Sequence, residues 1–349
     1  MISFFIASVF TLAAAVDFDC SLCGIADCLA CQRFDRWAEV NRRHESYILT
    51  GGYMYRKATW LENRNKIMTH NAGDNSTFSM SLNRFADLTS DEFSSQRLMS
   101  SIRVPDRQSL EPVRLDGVDP VNWLISGAVP PVLDQGQCGG CWAFSAYETL
   151  SAHYAIKFNS SAPALSPQEL IDCVQSNYSC FGCQGGVPSR AMSYVLDRLN
   201  GGLERYRDYP YTGQNGQCNL SGLDRTVQVN ASEVVNITSG SQRELLYVLA
   251  NNGPVSVCID ASSSKFQFYS RGIYRDDNCS SVEVDHAVLL YGLYRDAQTG
   301  RWAYMVRNSW GQDTDGADNG WGVHGDIYMD AEYADGNMCG IATLASTVV

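Results

Sequence analysis

Two cysteines three residues apart stand in a glycine-framed stretch, QGQCGGCWAF at 135–144. Thiols at that spacing can form a redox pair, supply half of a zinc site, or do two unrelated jobs. A sulfur is nucleophilic only as the thiolate, and a helix N-terminus or a neighbouring imidazolium lowers its pKa. The run CWAFSAYETLSAHYAIKF places apolar residues at Ala143, Ala146 and Leu150, so a helix is predicted to begin at or near Cys141. Cys138, in the loop before it, does not share that dipole position. A redox pair would ordinarily sit in a βαβ unit of a reducing compartment. A zinc site needs a second cysteine pair, which Cys180 and Cys183 could supply.

The chain has five histidines. His286 lies in VEVDHAVLLYG, at the start of a strand-like run, where a histidine taken alone is more often a satisfied core residue. RNSWG follows at 307–311, and an asparagine at the end of a buried strand, here Asn308, can hold an imidazole in one tautomer and rotation. Cys–His–Asn is a variant of the Ser–His–Asp arrangement.

These residues need a framework. The chain has 349 residues, 45% of them hydrophobic and 18% charged, enough for one large or two ordinary domains with a core. Residues 1–15 read as a secretory signal: 2–16 are uncharged, apolar and rich in alanine near the end, and no later run is long enough to span a membrane. Thirteen cysteines behind such a signal imply disulfides, and an odd number leaves one thiol over. Glycosylation sequons begin at Asn75, Asn159, Asn177, Asn219, Asn230, Asn236 and Asn278. Of the net charge of −12, residues 117–349 carry −11, which argues against nucleic acid or an anionic membrane as partner.

Residues 33–71 are predicted helical apart from Gly51-Gly52, and Thr89 with Glu92 marks another helix start. Residues 100–120 have the composition of an exposed linker. Beyond them LSPQELIDC begins a helix, with Ser166 as cap and Pro167 in the first turn. After Gly201 the text turns strand-like: TVQVN, EVVNI, PVSVCID, HAVLLYGLY and WAYMVRNSW. A helix-rich lobe followed by a sheet-rich lobe is an α+β arrangement.

QGQCGGCWAF, VDHAVLLYG and NSWG, in that order, resemble the papain-like cysteine peptidases of cathepsin L type. His286 follows Cys141 by 145 residues and Asn308 by 167, the first inside that family's spacing of about 130–150 and the second slightly beyond it. Gly140 replaces the usual Ser or Ala. The resemblance implies a two-lobe α+β fold with a central helix, preceded by a helical prodomain. It makes Cys141 the nucleophile, His286 its base and then acid, Asn308 the group that orients the ring, and Gln135 with the Cys141 N–H the oxyanion hole. It pairs Cys138 with Cys183, Cys173 with Cys218 and Cys279 with Cys339. Substrate would meet Gly185 and Gly186 through its backbone. Phe181 would line S3, and Val187, Pro188, Cys258, Asp285, Ala287 and Leu344 would line or adjoin S2. Trp310 would shape the primed side. Leu344 in place of a carboxylate implies an apolar P2 preference.

The same resemblance extends to Arg56, Trp60, Asn63, Ile67 and Asn71, and to Asn83, Phe85 and Asp87, a propeptide pattern. Gly52 stands where that helix usually has Glu, so the helix is expected to start later. The resulting layout is signal 1–15, Cys-rich segment 16–32, inhibitory prodomain 33–104, linker with the maturation cut 105–116, and peptidase 117–349. Its helical lobe covers about 125–225 and its sheet lobe about 226–349. The implied product is a monomeric endopeptidase of the secretory pathway, in a lysosome- or vacuole-like compartment or outside the cell. It would need no cofactor or metal, act on proteins or peptides, be inhibited by its own prodomain, and bind neither nucleic acid nor, after signal removal, a membrane. The alternative is a catalytically weak homologue that works as a secreted binding protein.

Three features have no counterpart in the resemblance. Cys20, Cys23, Cys28 and Cys31 form a tight cluster that fits two local disulfides better than a metal site. Cys180 has no assigned partner. The segment QDTDGADNG, 312–320, has aspartates but no terminal bidentate glutamate, and reads as a solvated hairpin extension rather than a calcium loop.

Overall fold

A computed structural model describes residues 28–73, 76–104, 113–174, 176–221, 227–312, 320–333 and 336–349. The signal segment, Cys20, Cys23, Asn75, most of the 105–116 linker and most of the 312–320 extension lie outside the described residues. The chain divides into two compact units, residues 1–61 and 62–349.

In the first unit the helices are α1 (Cys28–Val40), α2 (His44–Thr50) and the start of α3 (Tyr53–Asn71). Helix is therefore interrupted twice where the sequence predicts one break. Arg42 takes a left-handed conformation (φ 55°), and Gly51 caps α2 in the same region (φ 70°) with its N–H on the Ile48 carbonyl. α3 begins directly after Gly52, the late start expected from that substitution. Phe34 is the hub: its ring stacks on Trp37 and Tyr47 and meets Tyr53 and Trp60 edge-on. Cys31 is disulfide-bonded.

The second unit holds the rest of α3, then β1 (Phe78–Met80), α4 (Ser90–Arg97), β2 (Ile102–Arg103), β3 (Val121–Asn122), α5 (Cys141–Phe158), α6 (Pro167–Cys173), α7 (Pro188–Arg198), β4 (Gly202–Leu203), β5 (Val227–Gln228), β6 (Val234–Asn236), α8 (Gln242–Asn251), β7 (Val255–Ile259), α9 (Ser264–Gln267), β8 (Tyr269–Tyr274), β9 (Glu283–Val284), β10 (His286–Arg295), β11 (Trp302–Arg307), β12 (Asp326–Asp330) and β13 (Ala345–Val348). The main sheet runs β1-β8-β12-β11-β10-β7-β13-β6, with β3 on β10. α4 starts as the sequence predicts: Thr89 Oγ accepts from the Glu92 N–H while Glu92 accepts from the Thr89 N–H. Ser166 caps α6 through its Oγ, which accepts from the Glu169 N–H, with Pro167 in the first turn; the Glu169 carboxylate accepts from the Glu204 N–H and closes no box. α7, α8, β8, β12 and β13 are additional to the elements read from the sequence, although Pro188 at the start of α7 and the Ser241–Glu244 cap of α8 are local signals for the two helices. The strands among them are short or buried on both faces, so alternation is faint.

α5 is the axis of this unit. Its residues are buried almost throughout, and it packs α6 and α7 on one side and β7, β10 and β13 on the other. Ser145 Oγ donates to the Val288 carbonyl and shares a 2.6 Å hydrogen bond with Ser256 Oγ, tying the helix to β10 and β7. One turn further, Glu148 is buried beside Arg307, whose guanidinium is held by Asp326 and the Pro130 carbonyl. Tyr291 donates to the other Asp326 oxygen.

Burial pushes the Glu148 carboxyl up to about 8, against the lowering pull of Arg307. An unfolded glutamate ionises near 4.5, so between these values the folded chain holds the extra proton and stability falls as pH rises. Thermal unfolding at pH 5 and pH 8 should show this drop, and Glu148→Gln, neutral throughout, should reduce it by about 1 kcal/mol or more. An unchanged pH slope in the variant would remove Glu148 as the cause.

Candidate active site

The first turn of α5 is made by a loop with no room for side chains. Gly140 is its N-cap residue and offers no side-chain oxygen, so the first-turn amides of Cys141 and Trp142 have no side-chain cap. A Cβ on Gly140 would lie 2.9 Å from Ile171 Cδ1 and 3.2 Å from Cys138 Sγ. The space that Ser or Ala would need is filled here by Ile171. Cys138 is bonded to Cys183, which holds this loop against 182–186; Cys173–Cys218 and Cys279–Cys339 are the other pairs among residues 62–349. Cys141, Cys180 and Cys258 are free and buried. The backbone N–H groups of Ala287, Trp142 and Cys141 lie near the Cys141 sulfur and favour its thiolate.

β10 begins at His286, and β11 ends one residue before Asn308. The antiparallel β10–β11 pair therefore brings these two residues together. His286 Nε2 lies 2.8 Å from Asn308 Oδ1, which also accepts from the Ser309 N–H at 2.7 Å. An amide oxygen can only accept, so Nε2 carries the proton and Nδ1 keeps the lone pair. Nδ1 has no hydrogen-bond partner. Trp310 stacks on the imidazole at 4.8 Å, and Phe266 and Trp321 pack on Trp310 in turn. That aromatic wall keeps water from the His–Asn bond.

Gln135 reaches the same place from the loop before α5. Its N–H donates to the Ser309 carbonyl, Asp134 bridges to Trp310, and the Gly311 N–H donates to Leu133. This short antiparallel seam fixes the loop to the strand carrying Asn308. Ser309 Oγ donates to Gln135 Oε1 at 2.6 Å, so the amide is orientated with Nε2 outward, towards the Cys138 carbonyl (2.9 Å) and the Arg97 carbonyl (2.8 Å).

Residues 85–103 run through this site. Phe85 and Phe93 sit edge-on to Trp310, at 5.6 and 5.2 Å. Arg84 and Arg97 both bind Asp134, at 3.0 and 3.2 Å. Beyond Arg97, the Met99 N–H donates to Asp285 O, Ser100 bonds to Gln184 O, and Ile102 pairs with Val284. Gly185 has φ 123°, and a Cβ there would lie 3.0 Å from Met99 Cβ, so only glycine admits this close passage. Ser100–Ile102 share a cavity of about 390 Å³ with Ser179, Phe181 and 184–187. Phe181 is exposed, whereas Pro188 starts α7 and is buried, with Val187 before it at the N-cap. Ala287 is the register partner of Cys258, and the Cys258 N–H donates to Leu344 O. Cys258, Ala287 and Leu344 belong to the same apolar cluster as Cys141. Asp285 Oδ1 accepts from the Ala261 N–H, and burial pushes its carboxyl up to about 7.

Enclosed in this way, the thiol and the ring are both uncharged. Burial pushes Cys141 up to about 12, outweighing its backbone N–H partners, and Asp285 adds to the rise. Burial lowers His286 to about 4, against the raising effect of Asn308.

Sequence reasoning passed over four contributors. Ser309 orientates Gln135, Tyr211 donates to the Gln135 carbonyl at 2.6 Å, Ser145 seats the helix, and Trp142 Nε1 donates to the Gly182 carbonyl. Ser309 stands inside the NSWG motif and Trp142 beside Cys141. Tyr211 carries no local signal.

Residues 118–349 match the sequence profile of the papain family cysteine proteases, and residues 34–93 match that of the cathepsin propeptide inhibitor domain. The chain belongs to the papain family of cysteine proteases and is made with an inhibitory propeptide. It is 36% identical to procathepsin L of Mus musculus over 335 residues, 91% of this chain and 94% of that one. Among solved structures it resembles digestive procathepsin L 3 of the Tenebrio molitor larval midgut, with 33% identity, a TM-score of 0.70, and 85% and 91% of the two chains covered. It also resembles the recombinant stem bromelain precursor, with 28% identity, a TM-score of 0.76, and 91% and 98% covered.

A thiol raised to about 12 is a poor nucleophile at neutral pH. Iodoacetamide should therefore label Cys141 in the intact chain at least ~100-fold more slowly at pH 7 than after the propeptide is removed. Peptide mass spectrometry reads the difference; equal rates would mean that burial does not silence the sulfur.

Proposed function

We propose that the processed protein is an endopeptidase in which Cys141 is the nucleophile and His286 the general base and acid. Asn308 holds the ring, and Gln135 Nε2 with the Cys141 N–H stabilises the oxyanion. The observation that carries this reading is the 2.8 Å hydrogen bond from Gln135 Nε2 to the Arg97 carbonyl. A side-chain amide is already aimed at a peptide carbonyl beside the open end of α5, the place where a substrate carbonyl would gain negative charge. Thiolate attack forms a tetrahedral intermediate there. The imidazolium then protonates the leaving amine, and the same ring activates water against the thioester.

Latency follows from the same contacts. The propeptide crosses from the Trp310 side to the Gly185 side. A substrate with its C-terminal part on the primed side runs the other way, so the propeptide backbone is presented in the wrong polarity for attack. It also fills the oxyanion donor and desolvates the thiol and ring. When it leaves, water returns and the charged pair can form in the field of the helix terminus.

In this reading the prodomain is 33–104, the cut lies in the linker 105–116, and the peptidase extends to 349. Residues 113–116 are already seated. The Val113 N–H donates to Gln242 Oε1, Leu115 is buried, and Gln242 is anchored by Tyr304 and the Ala331 carbonyl. These contacts support a cut before Val113. A P2 side chain would meet Val187, Pro188, Cys258, Ala287 and Leu344, an apolar set that favours aliphatic or aromatic residues. Six of the sequon asparagines, all but Asn75, are exposed and open to glycans. Relatives of cathepsin type and the disulfides support the secretory pathway, and in this reading a lysosome-like compartment or the exterior is the destination. Among the described residues no helix is long and apolar enough to cross a membrane.

Cys141→Ser should lower peptide hydrolysis by roughly 10⁴-fold or more and leave the propeptide attached. Retained cleavage would reject the nucleophile, and an inactive wild type that still binds peptides would favour the binding-protein alternative. Leu344→Glu should raise kcat/KM for substrates with P2 Arg about tenfold, or about 1.4 kcal/mol; no change would mean that the pocket is elsewhere. N-terminal sequencing of the processed enzyme should begin at or before Val113. A later start would reject the seated segment as part of the mature chain.

A further inference from the structure

Two free thiols flank one strand residue at this site. Ser145 and Ser256 touch at 2.6 Å, which shows that this face of α5 meets this face of β7. Cys141 lies four residues before Ser145, one helical turn away on the same face. Cys258 lies two residues after Ser256, again on the same face. Both steps lead towards Ala287. Its backbone N–H lies near the Cys141 sulfur, and its strand register pairs it with Cys258. Ser145 holds the Val288 carbonyl just beyond, so helix and strands approach Ala287 in step. Cys258 is buried and belongs to no disulfide. The third free thiol, Cys180, instead lies against Val187 and below Gly186.

We propose that Cys258 is a resolving thiol for Cys141, so that oxidation of the processed enzyme by hydrogen peroxide ends in a Cys141–Cys258 disulfide that a dithiol reopens. The inference rests on the reading of Cys141 as the nucleophile. The Cys141 thiolate attacks one peroxide oxygen, giving the sulfenic acid and hydroxide; the sulfur is oxidised by two electrons and the O–O bond is reduced. The Cys258 sulfur then attacks the Cys141 sulfur. The S–S bond forms, the S–O bond breaks, and the hydroxyl leaves as water with the Cys258 proton. Without a resolving thiol, more peroxide carries the sulfenic acid to the irreversible sulfinic acid. In the intact chain burial raises both thiols above the ordinary range, so the device operates only after the propeptide leaves. An active-site thiol working in an oxidising compartment would thereby fall into a recoverable state.

The test uses enzyme processed from the folded full-length chain, exposed to hydrogen peroxide, quenched, and split into unreduced and dithiothreitol-treated halves. Each protein's recovery is scored against its own reduced activity. The unreduced wild type should yield a linked peptide pair containing Cys141 and Cys258, two hydrogens lighter than the separate thiol peptides, and reduction should restore most of its activity. Cys258→Val should recover about fivefold less and accumulate sulfinic acid at Cys141; Cys258→Ser serves the same purpose if the valine variant does not fold. Cys180→Ala should recover like the wild type. Absence of the linked peptide, or full recovery in both Cys258 variants, would overturn the proposal. The linked peptide is scored without peptidase activity, so a reduced enzyme that cleaves nothing would count against the functional reading separately.

Discussion

The constraint on which this structure depends is an uncapped helix end buried between two lobes. The first turn of α5 has no side-chain cap because Gly140 offers no oxygen, and the helix behind it is buried from Cys141 to Ala152. Open N–H groups in such a place must be satisfied or they are costly. Here the Cys141 sulfur meets the amides of its own turn. Everything else either holds that end still or controls what reaches it. The Cys138–Cys183 bond and Ile171 set the loop, Ser145 ties the helix to two strands, and the seam between 133–135 and 309–311 fixes Gln135 and Asn308 as one body.

In the proposed mechanism latency and activity use the same atoms under different solvation. The Gln135 amide that would hold an oxyanion is filled by a backbone carbonyl, Trp310 is covered by two phenylalanine edges, and thiol and imidazole are kept neutral by burial. No group has to be rebuilt on activation. A charged pair is expensive where water is absent and feasible once one side of the cleft opens. Residues 78–103 are held at this cleft by strand pairing at both ends, β1 on β8 and β2 on β9, and by two arginines on a single carboxylate, Asp134. Main-chain pairing is tolerant of sequence, whereas the Asp134 contacts place the segment in register.

The motifs were legible because they are local. Cys141 at a helix start, the NSWG turn, the Thr89 and Ser166 caps and the late start of α3 after Gly52 each depend on a few adjacent residues. The second interruption at Arg42 was not legible, because a left-handed non-glycine residue leaves no mark in composition. α7 and α8 carry local start signals, Pro188 and the Ser241–Glu244 cap, that were passed over, whereas the short strands β8, β12 and β13 were missed because their partners are distant in the chain. Tyr211 on the Gln135 carbonyl is the same case at the level of one side chain.

By itself the sequence determined which groups could react: a thiol with a helix beginning beneath it, an imidazole opening a strand, an amide ending another, and a hydrophobic budget for two lobes. Tertiary structure decided what those groups are in the resting molecule. The ring tautomer follows from Asn308 Oδ1, the direction of the Gln135 amide from Ser309, the seating of 113–116 from Gln242, and the facing of α5 and β7 from the Ser145–Ser256 pair. The physical reason is that residue type sets what an atom can donate, accept or lose. Its charge and its aim depend on solvent exclusion and on partners brought together only when the two lobes close around α5.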